Sequence, residues 1–333
     1  MNRAAAGLLQ VRALTVSYPG TQRALQVVDA LDLDLEAQEC LGVVGESGSG
    51  KTQMLLALLG LCGPRAQLTG SVRYRGEELL GASQSRLAAL RGRKIAIVFQ
   101  EPMSALNPYL TIATQLTEGV RHHLRLGRRA ARARAAELLA TVQIDAPAQR
   151  LKQYPHELSG GMLQRVSIAM ALMCAPEILL LDEPTTALDV TVQAQVLELL
   201  HTVRERTGVA TLFVTHDLGV LAAIAGRVAV MYAGRMIEQA PIADLYAAPR
   251  HPYTAGLLRS LPRLDLPIPV RLPAIPGQPP NLTELSGGCA FAPRCPLAHE
   301  RCAQMPQSRL LTDKHQLACH YDGPAAHITG VWQ

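Results

Sequence analysis

The chain has 333 residues, of which 48% are hydrophobic and 18% charged, and its net charge is +5. That composition excludes a disordered chain, and charge this mixed does not by itself indicate a nucleic-acid partner. No apolar run reaches the roughly 18 residues that a membrane span needs. The N-terminal apolar patch is cut by Arg12 and makes a poor signal peptide, so a cytoplasmic location is expected.

Residues 8–18 alternate apolar and polar and predict a strand, and a second strand is expected at 31–36. The run CLGVVG predicts a buried strand. It leads directly into GESGSGKT and then the helical pattern TQMLLALLGL. A strand is expected at 93–100, and residues 110–150 read as mostly helical. Within them, 121–135 carries six arginines and no acids. A solvated helix face, a contact with anionic lipid and a nucleic-acid contact all fit such a run. ILLLD at 178–182 predicts a buried strand, and TVQAQVLELLHTVRERTG an amphipathic helix ending at Gly208. A strand, ATLFVTHD, a helix, LGVLAAIAG, and a hairpin turning at Ala233–Gly234 follow. Strands alternating with helices predict an α/β fold on a mainly parallel sheet.

Ten of the 22 prolines lie in 241–280, which predicts an extended connector rather than helix or central strand. Beyond it lie four of the seven cysteines, Cys289, Cys295, Cys302 and Cys319, spaced C-x5-C-x6-C-x16-C. Cys40, Cys62 and Cys174 sit in apolar surroundings and read as buried hydrophobes. In a cytoplasmic chain the C-terminal group suggests metal more than disulfides. Four soft thiolates suit Zn²⁺ or an iron–sulfur cluster. The short C-x₂₋₄-C knuckle usual for structural zinc is absent, and the five- and six-residue loops with Pro293 and Pro296 suit a larger cluster. His299, His315 and His320 lie nearby as substitute ligands or as surface residues.

Gly45-Glu46-Ser47-Gly48-Ser49-Gly50-Lys51-Thr52 fits GxxxxGK[ST]. Its glycines let the backbone curl so that N–H groups point at phosphate oxygens, and the helix that follows aims its positive end at the same place. Lys51 would reach the β- and γ-phosphates and the Thr52 hydroxyl would ligate Mg²⁺. A buried strand delivers Asp182 to the Mg²⁺ shell, and Glu183 follows as candidate general base. In LSGGM at 158–162 a Ser and two glycines open an apolar helix and form a second anion site. One phosphate loop and two phosphate-binding helix ends in one chain predict a dimer with nucleotide held between subunits.

With these motifs in this order, the sequence resembles the ATP-binding cassette (ABC) ATPases over about 8–250. The resemblance implies a P-loop domain with a parallel-sheet core, an antiparallel N-terminal β subdomain and a helical subdomain at about 101–170. It also implies site roles. Tyr18 would stack on adenine, and Gln100 in VFQEP would contact Mg²⁺ or water and sense the membrane subunit. Ser159, Gly160 and Gly161 would touch the γ-phosphate of ATP held by the partner. Asp189 would cross the dimer interface, and His216 in VTHD would contact the γ-phosphate.

FQEPMSALNP, YPHELSGGMLQRV, APRHPYTAGLLRSLPRL (248–264) and IPGQPPNL (275–282) resemble a narrower group, the ATP-binding subunits of bacterial oligopeptide/dipeptide (peptide/nickel) importers. Leu163 departs from the basic residue common in that group. The resemblance implies a connector at 251–280 and a C-terminal cysteine-rich module at 281–333, in which the four cysteines look like a [4Fe–4S] site, with zinc as the alternative. The implied partners are two membrane permeases, a second ABC ATPase subunit and a solute-binding protein reached through the complex, at the cytoplasmic face of the inner membrane. The competing reading is a soluble ABC ATPase acting on nucleic acid or ribosomes. Lys51 and Ser159, 108 residues apart, leave no room for the long coiled coils of chromosome and repair members.

Overall fold

The computed structural model describes residues 7–20, 23–186, 188–261, 274–285, 287–323 and 325. They divide into two compact units. The first is built mainly on Arg75–Val214. The second comprises Leu9–Asp34, Leu41–Tyr74 and the chain from Thr215 onward.

In the first unit the strands Ile95–Val98, Ile178–Asp182 and Ala210–Thr215 run parallel, with Ile95 opposite Ile178 and Ile178 opposite Ala210. The last two strands are buried along their whole length, as a strand covered on both faces requires. Helix Val190–Thr207 starts on Asp189, whose side chain accepts from the Val192 N–H, and ends at Gly208 with φ 66°, where left-handed backbone favours glycine. The helical region contains Ile112–His123, which buries Ile112, Leu116 and Val120, and Arg128–Thr141, which buries Ala131, Ala135 and Leu139. Both use i, i+4, i+8 spacing, so each presents one apolar stripe. Of the six arginines in 121–135, five are exposed, and the sixth, Arg134, donates to the Met173 carbonyl at 2.6 Å.

In the second unit the strand Leu9–Tyr18 pairs antiparallel with Gln67–Tyr74 and neighbours Leu25–Leu35. The register shifts between Arg12 and Thr15, where Ala13 takes φ 45°. Buried positions change phase there, from Leu9 and Val11 to Leu14 and Val16. The bulge thus keeps one apolar face inward despite the slip in alternation. The predicted strand at 31–36 is longer than expected, Leu25–Leu35.

Leu41–Val44 runs parallel to Arg227–Val230, and Arg227–Tyr232 turns back on Arg235–Pro241. Ala233 and Gly234 both have positive φ, 48° and 83°, which matches the right-handed strand twist in a two-residue hairpin turn.

The expected connector differs from what is seen. Ile242–Ala247 and Pro252–Arg259 are helices. The prolines do not prevent them, because Pro241 caps the first and Pro252 opens the second, where a missing N–H costs nothing. Much of the remaining connector, 262–273, lies outside the described residues. His315–Leu317 pairs antiparallel with the edge of Arg235–Pro241, and Arg309–Thr312 pairs with His315–Leu317. The cysteine-bearing segment therefore extends the sheet of the second unit.

Candidate nucleotide site

The second unit carries the phosphate loop. The strand Cys40–Val44 is fully buried and runs into Gly45, and helix Lys51–Leu58 starts with Gly50 at φ 99° as its cap. Glycine is required at both ends of the loop. A Cβ on Gly45 would stand 2.2 Å from the Met231 carbonyl oxygen, and one on Gly50 2.2 Å from that of Val27. The Lys51 side chain folds back over the loop, and its Nζ donates to the Gly45 carbonyl at 2.8 Å and the Glu46 carbonyl at 3.0 Å. Ser49 is buried and its Oγ has no hydrogen-bond partner among the described residues. A buried ammonium beside an unsatisfied hydroxyl suits an anion. The Tyr18 hydroxyl donates to Gln53 Oε1 at 2.7 Å, which ties the expected adenine-stacking residue to the loop's helix. His216 is exposed at the end of Ala210–Thr215.

The first unit carries the carboxylates. Asp182 is buried at the end of its strand. Glu183 has φ 45°, a conformation L-residues rarely hold, and is fixed there by its N–H, which donates to the Val214 carbonyl at 2.9 Å. Its carboxylate accepts from Thr186 Oγ1 at 2.9 Å and from Gln100 Nε2 at 3.4 Å, a Gln100–Glu183 contact that the motif reading did not anticipate. The signature serine, Ser159, caps helix Gly160–Leu172 by accepting from the Met162 N–H. A Cβ on Gly161 would reach 2.9 Å from Val192, in the first turn of the helix that Asp189 caps, which brings the signature beside Asp189. Leu163, the departure from the narrower group, is buried.

The C-terminal segment contributes residues that the motif reading missed. Arg294 forms a bidentate pair with Glu46 of the phosphate loop, Nη1 to Oε2 at 2.8 Å and Nη2 to Oε1 at 3.0 Å. The fully buried Tyr253 accepts from the Glu46 N–H at 3.0 Å. Tyr232, Tyr253 and Phe291 stack edge-on or tilted at 4.6–5.4 Å between centroids. Their only sequence signal was three aromatic residues in a chain with 4% aromatics.

The four C-terminal cysteines line one small cavity, together with His251, His299 and His320. The Cys289 N–H donates to the Cys302 carbonyl at 2.9 Å. All seven cysteines are free thiols. Desolvation pushes the Cys295 thiol up to about 12 and that of Cys319 up to about 11, and raises Cys289 as well. Among the described residues, no three His, Cys, Asp or Glu side chains are grouped to hold a single metal ion. The four thiols are soft donors facing one cavity, and among the described residues no set for one ion is assembled.

Residues 28–186 match the ABC transporter family, and 237–302 match the oligopeptide/dipeptide transporter C-terminal region. The Oligopeptide transport ATP-binding protein OppD of Salmonella typhimurium is 44% identical over 312 residues, covering 94% of this chain and 93% of its own. A probable peptide ABC transporter ATP-binding protein of Sinorhizobium fredii is 45% identical, covering 94% of both chains. OppD of Mycobacterium bovis is 48% identical over 94% of this chain, which spans only 51% of that relative's length. A dimeric ATP-binding cassette solved with ADP and phosphate in a post-hydrolysis state superimposes with a TM-score of 0.64. It is 28% identical and covers 70% of this chain and 98% of its own.

Parallel strands, a phosphate loop and a capped signature helix define an ATP-binding cassette. The chain belongs to the family of ATP-binding proteins of peptide and oligopeptide ABC transporters.

Proposed function

We propose that this chain is the ATP-hydrolysing subunit that energises uptake of di- or oligopeptides, or of a related solute such as nickel, by a bacterial ABC importer. The observation that carries the reading is an oligopeptide-type C-terminal region joined to a cassette that retains Lys51, Glu183 and the signature.

Lys51 and the loop N–H groups hold the β- and γ-phosphates, and Tyr18 stacks on adenine. Thr52, Asp182 and Gln100 would hold Mg²⁺, which when bound would supply positive charge next to the transferred phosphoryl group. Glu183 accepts a proton from the attacking water, positioned by the Gln100 and Thr186 contacts. His216 contacts the γ-phosphate. Ser159, Gly160, Gly161 and Asp189 act on ATP bound to the partner cassette, so ATP favours the closed dimer and its hydrolysis reopens it. Two permeases, a second cassette and a solute-binding protein complete the importer, with this chain peripheral at the cytoplasmic face of the inner membrane. No helix among the described residues is long and apolar enough to cross a membrane.

Cys289, Cys295, Cys302 and Cys319 hold a [4Fe–4S] cluster in this reading. The support for it is that all four thiols line one cavity. The experiment for the transport reading is peptide uptake by native vesicles carrying wild type or Glu183→Gln. Loss of ATP-driven uptake in the variant is expected, and undiminished uptake would overturn it.

A further inference from the structure

The phosphate-loop motif gives the Glu46 side chain no role, since its position in GxxxxGK[ST] tolerates any residue. In the structure its backbone and its side chain are both engaged. Its carbonyl accepts from Lys51 Nζ at 3.0 Å and from the Ser49 N–H at 3.1 Å. Its own N–H donates to the Tyr253 hydroxyl, and its carboxylate receives both arms of the Arg294 fork. One residue therefore links the phosphate-binding lysine to the C-terminal segment.

Arg294 is built for this position. Its side chain is 7% exposed, and that of Glu46 is 23% exposed. Besides Glu46 it donates to the Tyr232 hydroxyl at 3.2 Å and to the Pro276 carbonyl at 2.9 Å. Its guanidinium carbon lies 5.9 Å from the Tyr232 ring centroid and 6.0 Å from that of Phe291. It also closes the one-turn helix Ala292–Arg294, directly before Cys295. A planar fork held by two rings, a hydroxyl and a carbonyl fixes the carboxylate it grips.

We infer that Arg294 is a positioning residue for the phosphate loop, setting the Glu46 backbone that holds Lys51 and thereby coupling the cysteine-bearing segment to nucleotide affinity. The inference rests on the reading of Gly45–Thr52 as the ATP phosphate site. Coupling is reciprocal, so whatever loosens the segment weakens ATP binding, and ATP binding tightens the segment.

The test uses the full chain in five forms: wild type, Glu46→Gln, Arg294→Ala, the two combined, and Lys51→Ala. Equilibrium MgATP titration is paired with amide hydrogen exchange of 289–295 with and without MgATP. Glu46→Gln keeps the size of the side chain and leaves Arg294 in place, so it stays informative where Arg294→Ala unfolds the segment. The expected result is MgATP affinity about fivefold or more weaker in each single variant, with the combined variant no worse than the weaker single one. MgATP slows exchange at 289–295 in wild type and has no such effect in Glu46→Gln. Unchanged affinity in the folded variants would overturn the inference, as would independent, additive losses or an absence of MgATP-dependent protection in wild type. Failure of wild type to bind MgATP, or unaltered binding by Lys51→Ala, would instead remove the reading of the loop and the inference with it.

Discussion

His251 offers a stability prediction whose size follows from its surroundings. It is fully buried, and its Nδ1 accepts the Tyr253 N–H at 3.0 Å to cap helix Pro252–Arg259. An acceptor nitrogen must be unprotonated, and protonation would turn the cap into a second donor. Burial pushes the His251 pKa down from 6.5 to about 4, against a smaller opposing pull from Glu238. Glu238, also buried, accepts from the N–H groups of Arg250 and His251 and contacts His315 Nε2 at 2.9 Å. Desolvation works to raise the Glu238 pKa, and these hydrogen bonds outweigh it, so the net shift is downward. Below 6.5 the unfolded chain takes up protons that the folded chain refuses at His251. The stability this histidine contributes is thus complete above 6.5 and is lost progressively as pH falls toward 4. At about pH 5 the loss is about 2 kcal/mol. Glu238 has the same sign at lower pH. His251→Asn retains a capping side chain but cannot titrate. Urea unfolding at about pH 7 and about pH 5, at one ionic strength, should show wild type losing about 2 kcal/mol more than the variant. An equal loss in both proteins would refute the reasoning.

Three further outcomes are expected. Glu183→Gln should lower phosphate release by about 100-fold or more while fluorescent-nucleotide titration shows ATP still bound; unchanged turnover would remove Glu183 as base. Gly50→Ala places a side chain at φ 99° and 2.2 Å from the Val27 carbonyl. The backbone strain alone costs about 1–2 kcal/mol, so a urea midpoint equal to wild type would contradict the loop geometry. Anaerobically purified protein should contain about four irons and four sulfides per chain, lost in Cys295→Ser; stoichiometric zinc without iron or sulfide would sink the cluster.

What could be read from the sequence was what is local. GESGSGKT, ILLLDE and LSGGM each carry their chemistry within a few residues, and the structure places each at a strand end or helix start. The helix Val190–Thr207 and the Ala233–Gly234 turn were legible because periodicity and end signals agree there. The helices at 242–259 were hidden because proline density reads as a breaker, although proline at a first helical position is harmless. Gln67–Tyr74 escaped notice because only Val72 and Tyr74 are buried, too few to show alternation. The Arg294–Glu46 pair joins residues 248 positions apart, and no local pattern announces a contact of that kind.

The central claim is that this cassette drives a membrane importer. Its most direct test is affinity purification of the full chain from native membranes in mild detergent, with every co-purifying protein identified by mass spectrometry. The account predicts two multi-span permeases and a second ATP-binding subunit, with an attached binding protein that points to the solute. Recovery of the chain alone, or with ribosomes or DNA and no permease, would contradict it.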